Sequence, residues 1–419
     1  MSKNKKKVLY ITYHFPPSKK VGAIRARGFA KYLPEFGWHV IVLTTILPDE
    51  PEHYFNVVQT HPPYQKLLPY LTNPELRRRL KSIAGPLPGF NGRIYSFFRG
   101  MIDIPDSRIG WLPFAVSAGK EIIKKEKPQA IVSNFGPATC HIVASYLKKI
   151  YPEIFWLADF RDPWTQFRRN SLRTRFEKSL EKKVLERADA LSIVSEYMAD
   201  RLKKDHPDKR VFVIPNGFDP EEISTETSMI TDSFTITYTG SMHPLSKNPS
   251  MLFEAINNLV KKNALDKKDI KINFYGPDLY WVLNLASRYS LRDIVQYHGT
   301  QPRHMIISIQ RKSQILLILT ASLQGEEGTL TAKIFEYLAA RRPIISIGEK
   351  GGEIEKLLIK TQAGNHCQTL QEIEIYLVNA YKQWKQRGQV TYMGIKEELM
   401  RFSHIEMAKR FVNILEGRW

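Results

Sequence analysis

The chain has 419 residues, 43% of them hydrophobic and 25% charged, and its 62 Lys and Arg against 42 Asp and Glu give a formal charge of +20. That length exceeds one ordinary core, so two domains are expected in a composition typical of soluble globular proteins. Cys140 and Cys367 lie far apart with no CxxC or Cys/His pattern, so no disulfide framework or zinc site can be read from them and a reducing compartment fits. The N-terminal stretch lacks a full signal-peptide core and cleavage site, and no apolar run is long enough to cross a bilayer. The expectation is a soluble protein or one that sits on a membrane surface.

In chain order, Lys7–Thr12 is a short apolar run closed by HFPPSKKVG, and Ala23–Phe36 then follows helical periodicity up to Gly37. WHVIVLTT reads as a second buried strand, which completes the βαβ signature of a parallel sheet. The rhythm continues through AIVSNFG, IFWLADF, ALSIVS and VFVIP. It restarts after the polar linker DPEEISTETSMITDS with FTITYTGS, IKINFYG, IVQYHGT, QILLILT and PIISIG. Two successive wound α/β units are therefore expected, with a boundary near Asn216–Ser233.

The charge is unevenly placed. Residues 1–110 hold 17 basic against 7 acidic residues, and Thr165–Arg187 adds 8 against 3. Within 50–110 the strand–helix rhythm breaks, and Tyr64–Phe98 interleaves aromatic and aliphatic residues with Arg and Lys. An inserted helical excursion that meets an anionic lipid surface fits this composition; a cap packed on its own domain fits it too. Nucleic acid is a conceivable partner for the basic face but is not expected.

Ligands of open α/β sheets bind beyond the carboxyl ends of the strands, where loops run into helix N-termini. Three such loops carry chemistry. After the first strand, Gly22 lets the backbone approach a ligand and Arg25 lies in the first helical turn. LADFRDPW crowds Asp159, Arg161 and Asp162 at another strand end, as acceptor-side groups or as a structural ion-pair clamp. TGSMHPLSKNPS offers the Gly240–Ser241 turn and Lys247 ahead of a helix, which suits phosphate oxygens. In GTLTAKIFEYLAARRPIIS, Gly328, Thr329, Leu330 and Thr331 form the loop after QILLILT, and Lys333 enters the next helix. A cation there opposes the helix dipole, a conflict that a bound pyrophosphate would remove. Glu336, one turn on, could then accept from ribose hydroxyls. The plain alternative is an i,i+3 ion pair between Lys333 and Glu336 on a solvated face.

The order of these motifs, with RADALSIVSE, VIPNGFD and the closing FSHIEMAKRFVNIL, resembles a retaining glycosyltransferase of GT-B fold, in the large family 4 group of bacterial polysaccharide enzymes. The resemblance covers nearly the whole chain. It implies two Rossmann-like parallel-sheet domains facing across a cleft: an acceptor domain over 1–216 with an insertion at about 50–110, a donor domain over 217–400, and a C-terminal helix over 401–419 packing back on the first. It implies a nucleotide-diphosphate sugar as co-substrate with no cofactor or metal, a lipid-linked or saccharide acceptor, and a cytoplasmic place on the inner face of the cell membrane. Donor binding falls to Gly240, Ser241, Lys247, Gly328, Thr329, Leu330, Thr331, Lys333 and Glu336, and acceptor binding to Gly22, Arg25, Asp159, Arg161 and Asp162. Lys247, Lys333, Asp159 and Glu327 are the catalytic expectations. Two departures stand out: Gly328 occupies the position of the family's first Glu, with Glu326 and Glu327 as neighbours, and Asn134, Phe135 and Gly136 stand where many relatives carry a His. A sugar-nucleotide 2-epimerase of the same fold, a degenerate partner subunit, and a non-catalytic basic protein that binds membrane or nucleic acid remain as alternatives.

Overall fold

The computed structural model describes residues 6–18, 20–60, 104–166, 171–223, 229–242, 244, 247–320, 330–349 and 351–418. The chain divides into two compact units, Met1–Ile214 with Ala408–Trp419, and Pro215–Met407. The stretch 61–103, which holds the basic, aromatic segment, lies outside the described residues, as does the loop 321–329 with Glu326, Glu327, Gly328 and Thr329.

In the first unit, strands β1 (Lys6–Ile11), β2 (Trp38–Thr44), β3 (Asn56–Gln59), β4 (Ala130–Asn134), β5 (Phe155–Phe160), β6 (Ala190–Ile193) and β7 (Val211–Val213) form one parallel sheet in the order β3-β2-β1-β4-β5-β6-β7. In the second, β8 (Phe234–Thr239), β9 (Ile270–Tyr275), β10 (Val295–Tyr297), β11 (Ile315–Leu319), β12 (Ile344–Ile347) and β13 (Gly364–Cys367) do the same in the order β10-β9-β8-β11-β12-β13. The central strands β4, β8 and β11 are buried at every residue. Burial along the whole strand is what a sheet covered by helices on both faces requires; β11 is wholly apolar, while β4 and β8 bury Ser133, Asn134, Thr235, Thr237 and Thr239 as well. Each sheet winds outward in both directions from a pair of neighbours, β1/β4 and β8/β11. Those pairs are the topological switch points, where the loops diverge and leave a crevice.

Two strands were not anticipated. β3 falls inside the stretch read as an insertion, and β13 follows the last expected strand. Both are four-residue elements at the edge of a sheet, and only Cys367 among their eight residues is fully buried. They lack the apolar run that makes a strand visible in sequence. The expected helix Ala23–Phe36 is a helix over Val21–Tyr32 followed by a tighter turn over Leu33–Phe36. Pro34 has no N–H to continue the α-helical ladder, and Gly37, at φ +84°, closes the turn in the left-handed region.

The first unit is organised around a buried ion pair. Arg25, from helix Val21–Tyr32, meets Asp159 of β5 through two hydrogen bonds, Nε to Oδ2 at 2.9 Å and Nη2 to Oδ1 at 2.7 Å. Their side chains are 2% and 0% exposed. Asn134 of β4 donates to Oδ2 at 3.0 Å and Ser192 of β6 to Oδ1 at 2.9 Å, so each carboxylate oxygen accepts two bonds. The guanidinium also lies 5.2 Å from the ring centroid of Phe411, in the last helix, His404–Leu415. Phe411 packs edge-on against Phe29, which stacks on Tyr10 of β1 at 4.2 Å.

In the second unit, the segment IPNGFD pairs with FSH. Phe218 N donates to Phe402 O at 3.0 Å and His404 N to Phe218 O at 2.8 Å. A Cβ at position 217 would lie 2.3 Å from the Phe402 carbonyl oxygen, so Gly217 is required by the closeness of the two backbones.

Removing one partner of a buried pair leaves an uncompensated charge, at a cost of about 3–5 kcal/mol. Asp159→Ala should therefore destabilise the first unit by that order in denaturant unfolding. The double change Arg25→Leu with Asp159→Leu should recover much of the loss, because it removes both charges from the interior.

Candidate functional site

The crevice at the second switch point is built by the carboxyl end of β8 and the helix Ala332–Ala340, which follows β11 and the loop beyond it. Gly240, at φ +108°, turns the chain out of β8, with its N–H bonded to Tyr275 O at 2.8 Å. Lys333, in the first turn of the helix, reaches back under this turn. Its Nζ stands 3.7 Å from the ring centroid of Tyr238, and a Cβ at Gly240 would meet Nζ and Cε at 3.1 Å. Tyr238 is fixed from the other end, its hydroxyl donating to Ser241 O at 2.6 Å. Burial first, and the nearby Lys247 second, push the Lys333 ammonium down to about 7, with Glu336 opposing the shift. Among the described residues Lys333 has no carboxylate within ion-pair distance.

The surface pair between Lys333 and Glu336 is therefore not formed. Glu336 accepts instead from Arg303 Nη1 at 2.5 Å and from Gln310 Nε2 at 3.5 Å, and Arg303 also holds Glu222 at 2.9 Å. Gln310 donates to Thr239 Oγ1 at 2.9 Å, and the Tyr337 hydroxyl accepts the Thr239 N–H at 2.9 Å. The end of β8 is thus locked by side chains from two helices. Of the other expected donor-side residues, Ser241 is exposed and Lys247 half-buried, and Leu330 packs on the apolar cluster beneath the helix. Thr331 stands at the helix N-cap with its buried Oγ1 lacking a hydrogen-bond partner among the described residues. Glu327, Gly328 and Thr329 lie outside the described residues.

At the first switch point the structure separates the acceptor-side expectations into two groups. Arg25 and Asp159 form the internal clamp described above. Asp159 is fully buried with its oxygens saturated, so it positions the sheet and has no lone pair free for a catalytic step. The clamp expected within LADFRDPW, with Asp159 and Asp162 around Arg161, is not formed: Asp159 is paired with Arg25, from another element. Gly22, Arg161 and Asp162 belong to the crevice itself. The Arg161 guanidinium lies between two glycines: a Cβ at Gly22 would stand 2.9 Å from Nη1 and one at Gly136, at φ +96°, 2.5 Å from Nη2. Arg161 Nε also donates to Phe135 O at 3.3 Å, while Asp162 is exposed and 3.8 Å from Nη2.

Sequence reasoning missed His14 and Arg108 here and Tyr238, Arg303 and Gln310 in the second unit. His14 ends the first apolar run and so was visible, but only as a stop. Burial, then Arg161, Arg108 and Lys20, push its imidazole down to about 4. Arg108 lies over the Tyr13 ring at 5.3 Å, next to His14. Both cysteines are buried free thiols. Among the described residues, no three His, Cys, Asp or Glu are grouped so as to hold a metal ion.

Comparison with known proteins follows this division. The family model "Glycosyltransferase Family 4" matches residues 84–222 and "Glycosyl transferases group 1" matches residues 233–373. A search of curated proteins by sequence finds no match. Among solved structures, sucrose-phosphate synthase from Thermosynechococcus elongatus is similar over 98% of both chains at 16% identity, with a TM-score of 0.63. Anabaena HepE in complex with UDP and glucose covers 98% of this chain and 100% of its own at 12% identity, with a TM-score of 0.62. WaaG, a glycosyltransferase involved in lipopolysaccharide biosynthesis, has the same coverage at 12% identity and a TM-score of 0.57. At these identities the likeness is one of fold. The two family models together span about two thirds of the chain, and the protein belongs to the family 4 and group 1 glycosyltransferases of GT-B fold.

Proposed function

We propose that this glycosyltransferase moves a sugar from a nucleotide-diphosphate sugar to a saccharide or lipid-linked acceptor, with retention at the anomeric carbon and without a metal ion. The observation that carries this reading is Lys333: a cation without a carboxylate partner among the described residues, seated on the Tyr238 ring beneath Gly240 at the switch point of the second sheet. A diphosphate placed there meets the ammonium, the N-terminus of helix Ala332–Ala340 and the half-buried Lys247. In front-face displacement the bond from the anomeric carbon to the diphosphate oxygen breaks as the acceptor hydroxyl attacks from the same face. The proton of that hydroxyl passes to the departing phosphate oxygen. The leaving diphosphate gains charge during this step, and cations already in position lower the barrier. HepE, which has the same fold, has been solved with UDP and glucose, which favours a donor of that class. Glu336, held by Arg303, is offered as the acceptor of ribose hydroxyl bonds, with Gly328 and Thr329 on the donor side and Glu327 as the replacement for the family's first Glu.

No helix among the described residues is long and apolar enough to cross a membrane. We assign residues 64–99, with Lys66, Arg77, Arg78, Arg79, Lys81, Arg93 and Arg99, to peripheral binding on an anionic inner leaflet, where each basic residue contributes about 1 kcal/mol.

Transfer from a nucleotide sugar should persist in excess chelator. Under the same conditions Lys333→Ala should lower donor affinity about ten- to a hundredfold, the scale of one charge-assisted hydrogen bond. Near wild-type turnover in Lys333→Ala, or a loss in chelator that magnesium restores, would reject this mechanism.

Donor affinity should also depend on pH. In the free protein Lys333 loses its proton around pH 7, and a bound diphosphate holds that proton on. Binding above about pH 7 therefore takes up a proton, and affinity should fall by up to about tenfold per pH unit there. Titration calorimetry from pH 6 to 9 checks this, both limits being set roughly one to two units either side of the Lys333 value. Lys333→Ala should give a flatter profile, and Lys247→Ala should move the onset upward.

Sedimentation with liposomes should show binding that rises with anionic lipid and weakens in salt. Changing Arg77, Arg78 and Arg79 to Ser should reduce it with no change in donor affinity.

A further inference from the structure

We infer that the crevice at the carboxyl edge of the first sheet, where Lys20, Arg108 and Arg161 gather beside His14, binds the phosphate of a phosphate-bearing acceptor; this rests on reading the first unit as the acceptor side. The four side chains come from three separate segments: the loop after β1, the turn before the helix Leu112–Glu126, and the loop after β5. Arg161 is brought in by the two glycines that leave room for its guanidinium, and Arg108 by the ring of Tyr13. Lys20 is the N-cap of helix Val21–Tyr32, whose first turn holds no acidic residue and whose N-cap makes no side-chain bond. The dipole of that helix adds positive potential on the same side.

Among the described residues the nearby carboxylates offset only part of this charge. Asp159 is consumed by Arg25, Asn134 and Ser192. Asp106 accepts from the backbone N–H and hydroxyl of Thr139 and from Arg108 N. Asp162 touches Arg161 at 3.8 Å from an exposed position. The His14 imidazole is pushed down first by burial and then by Arg161, Arg108 and Lys20, so all three cations act on it. A neutral saccharide gains nothing from three cations held together at the cost of their mutual repulsion. A phosphate relieves that repulsion and offers acceptors that match guanidinium geometry.

Inorganic phosphate titrated onto protein carrying labelled histidine provides the test, with the His14 ring resonance assigned from His14→Gln. Phosphate should move that resonance in the wild type and in Lys333→Ala, since the donor side is a different site. Lys20→Gln combined with Arg108→Gln changes only exposed residues and should weaken the effect about tenfold or more. A His14 resonance that ignores phosphate, or an unchanged affinity in the double variant, overturns the proposal. Failure of the donor reading shows separately, as nucleoside diphosphate binding that Lys333→Ala leaves intact. Competition then distinguishes the source. Displacement by a soluble sugar 1-phosphate assigns the site to free sugar phosphates. Displacement only by a polyprenyl-pyrophosphate sugar in phosphatidylcholine vesicles assigns it to a lipid headgroup, and displacement by neither overturns the proposal.

Discussion

The first unit depends on the neutralisation of one carboxylate. Asp159 has no exposure, and a carboxylate in such a place is tolerable only with its charge and its lone pairs both satisfied. Arg25 supplies the charge, and Asn134 and Ser192 complete the bonding. The consequences spread outward. Strands β4, β5 and β6 are tied at one level, the first helix is fixed in rotation, and the flat guanidinium gives the ring of Phe411 a place to rest. With Asp159 spent in the interior, Arg161 two residues later faces the crevice with the exposed Asp162 as its carboxylate neighbour among the described residues. A structural ion pair thus sets the sign of the surface above it.

The second unit handles its cation in the opposite way. Lys333 is brought to the end of β8 with no carboxylate among the described residues to hold it, and it rests on an aromatic face. The adjoining carboxylate, Glu336, is occupied by Arg303. Burying an ammonium group in this manner costs the free protein stability at low pH. The folded-state value lies below the ordinary lysine value, so stability from this group rises as pH climbs from about 7. Sites that keep a group away from its preferred protonation state are frequently those that meet a charged ligand.

Much of this was legible in the sequence, for reasons that can be traced to particular residues. The strand ILLIL is buried on both faces and so reads as an unbroken apolar run, and AIVSN does so over its first three residues. The glycines at 22 and 240 marked loops where a side chain comes close, Arg161 at the first and Lys333 at the second. What escaped notice depended on long-range partners. Nothing local says that Arg25 will meet Asp159, 134 residues on, or that Arg303 will reach Glu336 ahead of Lys333. The i,i+3 spacing of Lys333 and Glu336 suggested a pair, but tertiary partners outcompeted it. β3 and β13 were invisible because edge strands need no apolar alternation when one side of their backbone has no neighbouring strand.

The pairing of Phe218 with Phe402 and His404 has a consequence for how the protein is made. It ties the two ends of the second unit together, so that unit is in effect a domain inserted between β7 and the last helix of the first. A ribosome releases residues in order, and domains fold as they emerge. The first unit's sheet is complete by Val213, yet Phe411, which covers Arg25 and Phe29, follows the whole of the second unit in the chain. The first unit must therefore wait, with part of its core open, until the whole of the second has been translated. Stalling or truncation anywhere in the second half leaves the first half unfinished, so the two units share one fate during synthesis although each has its own core.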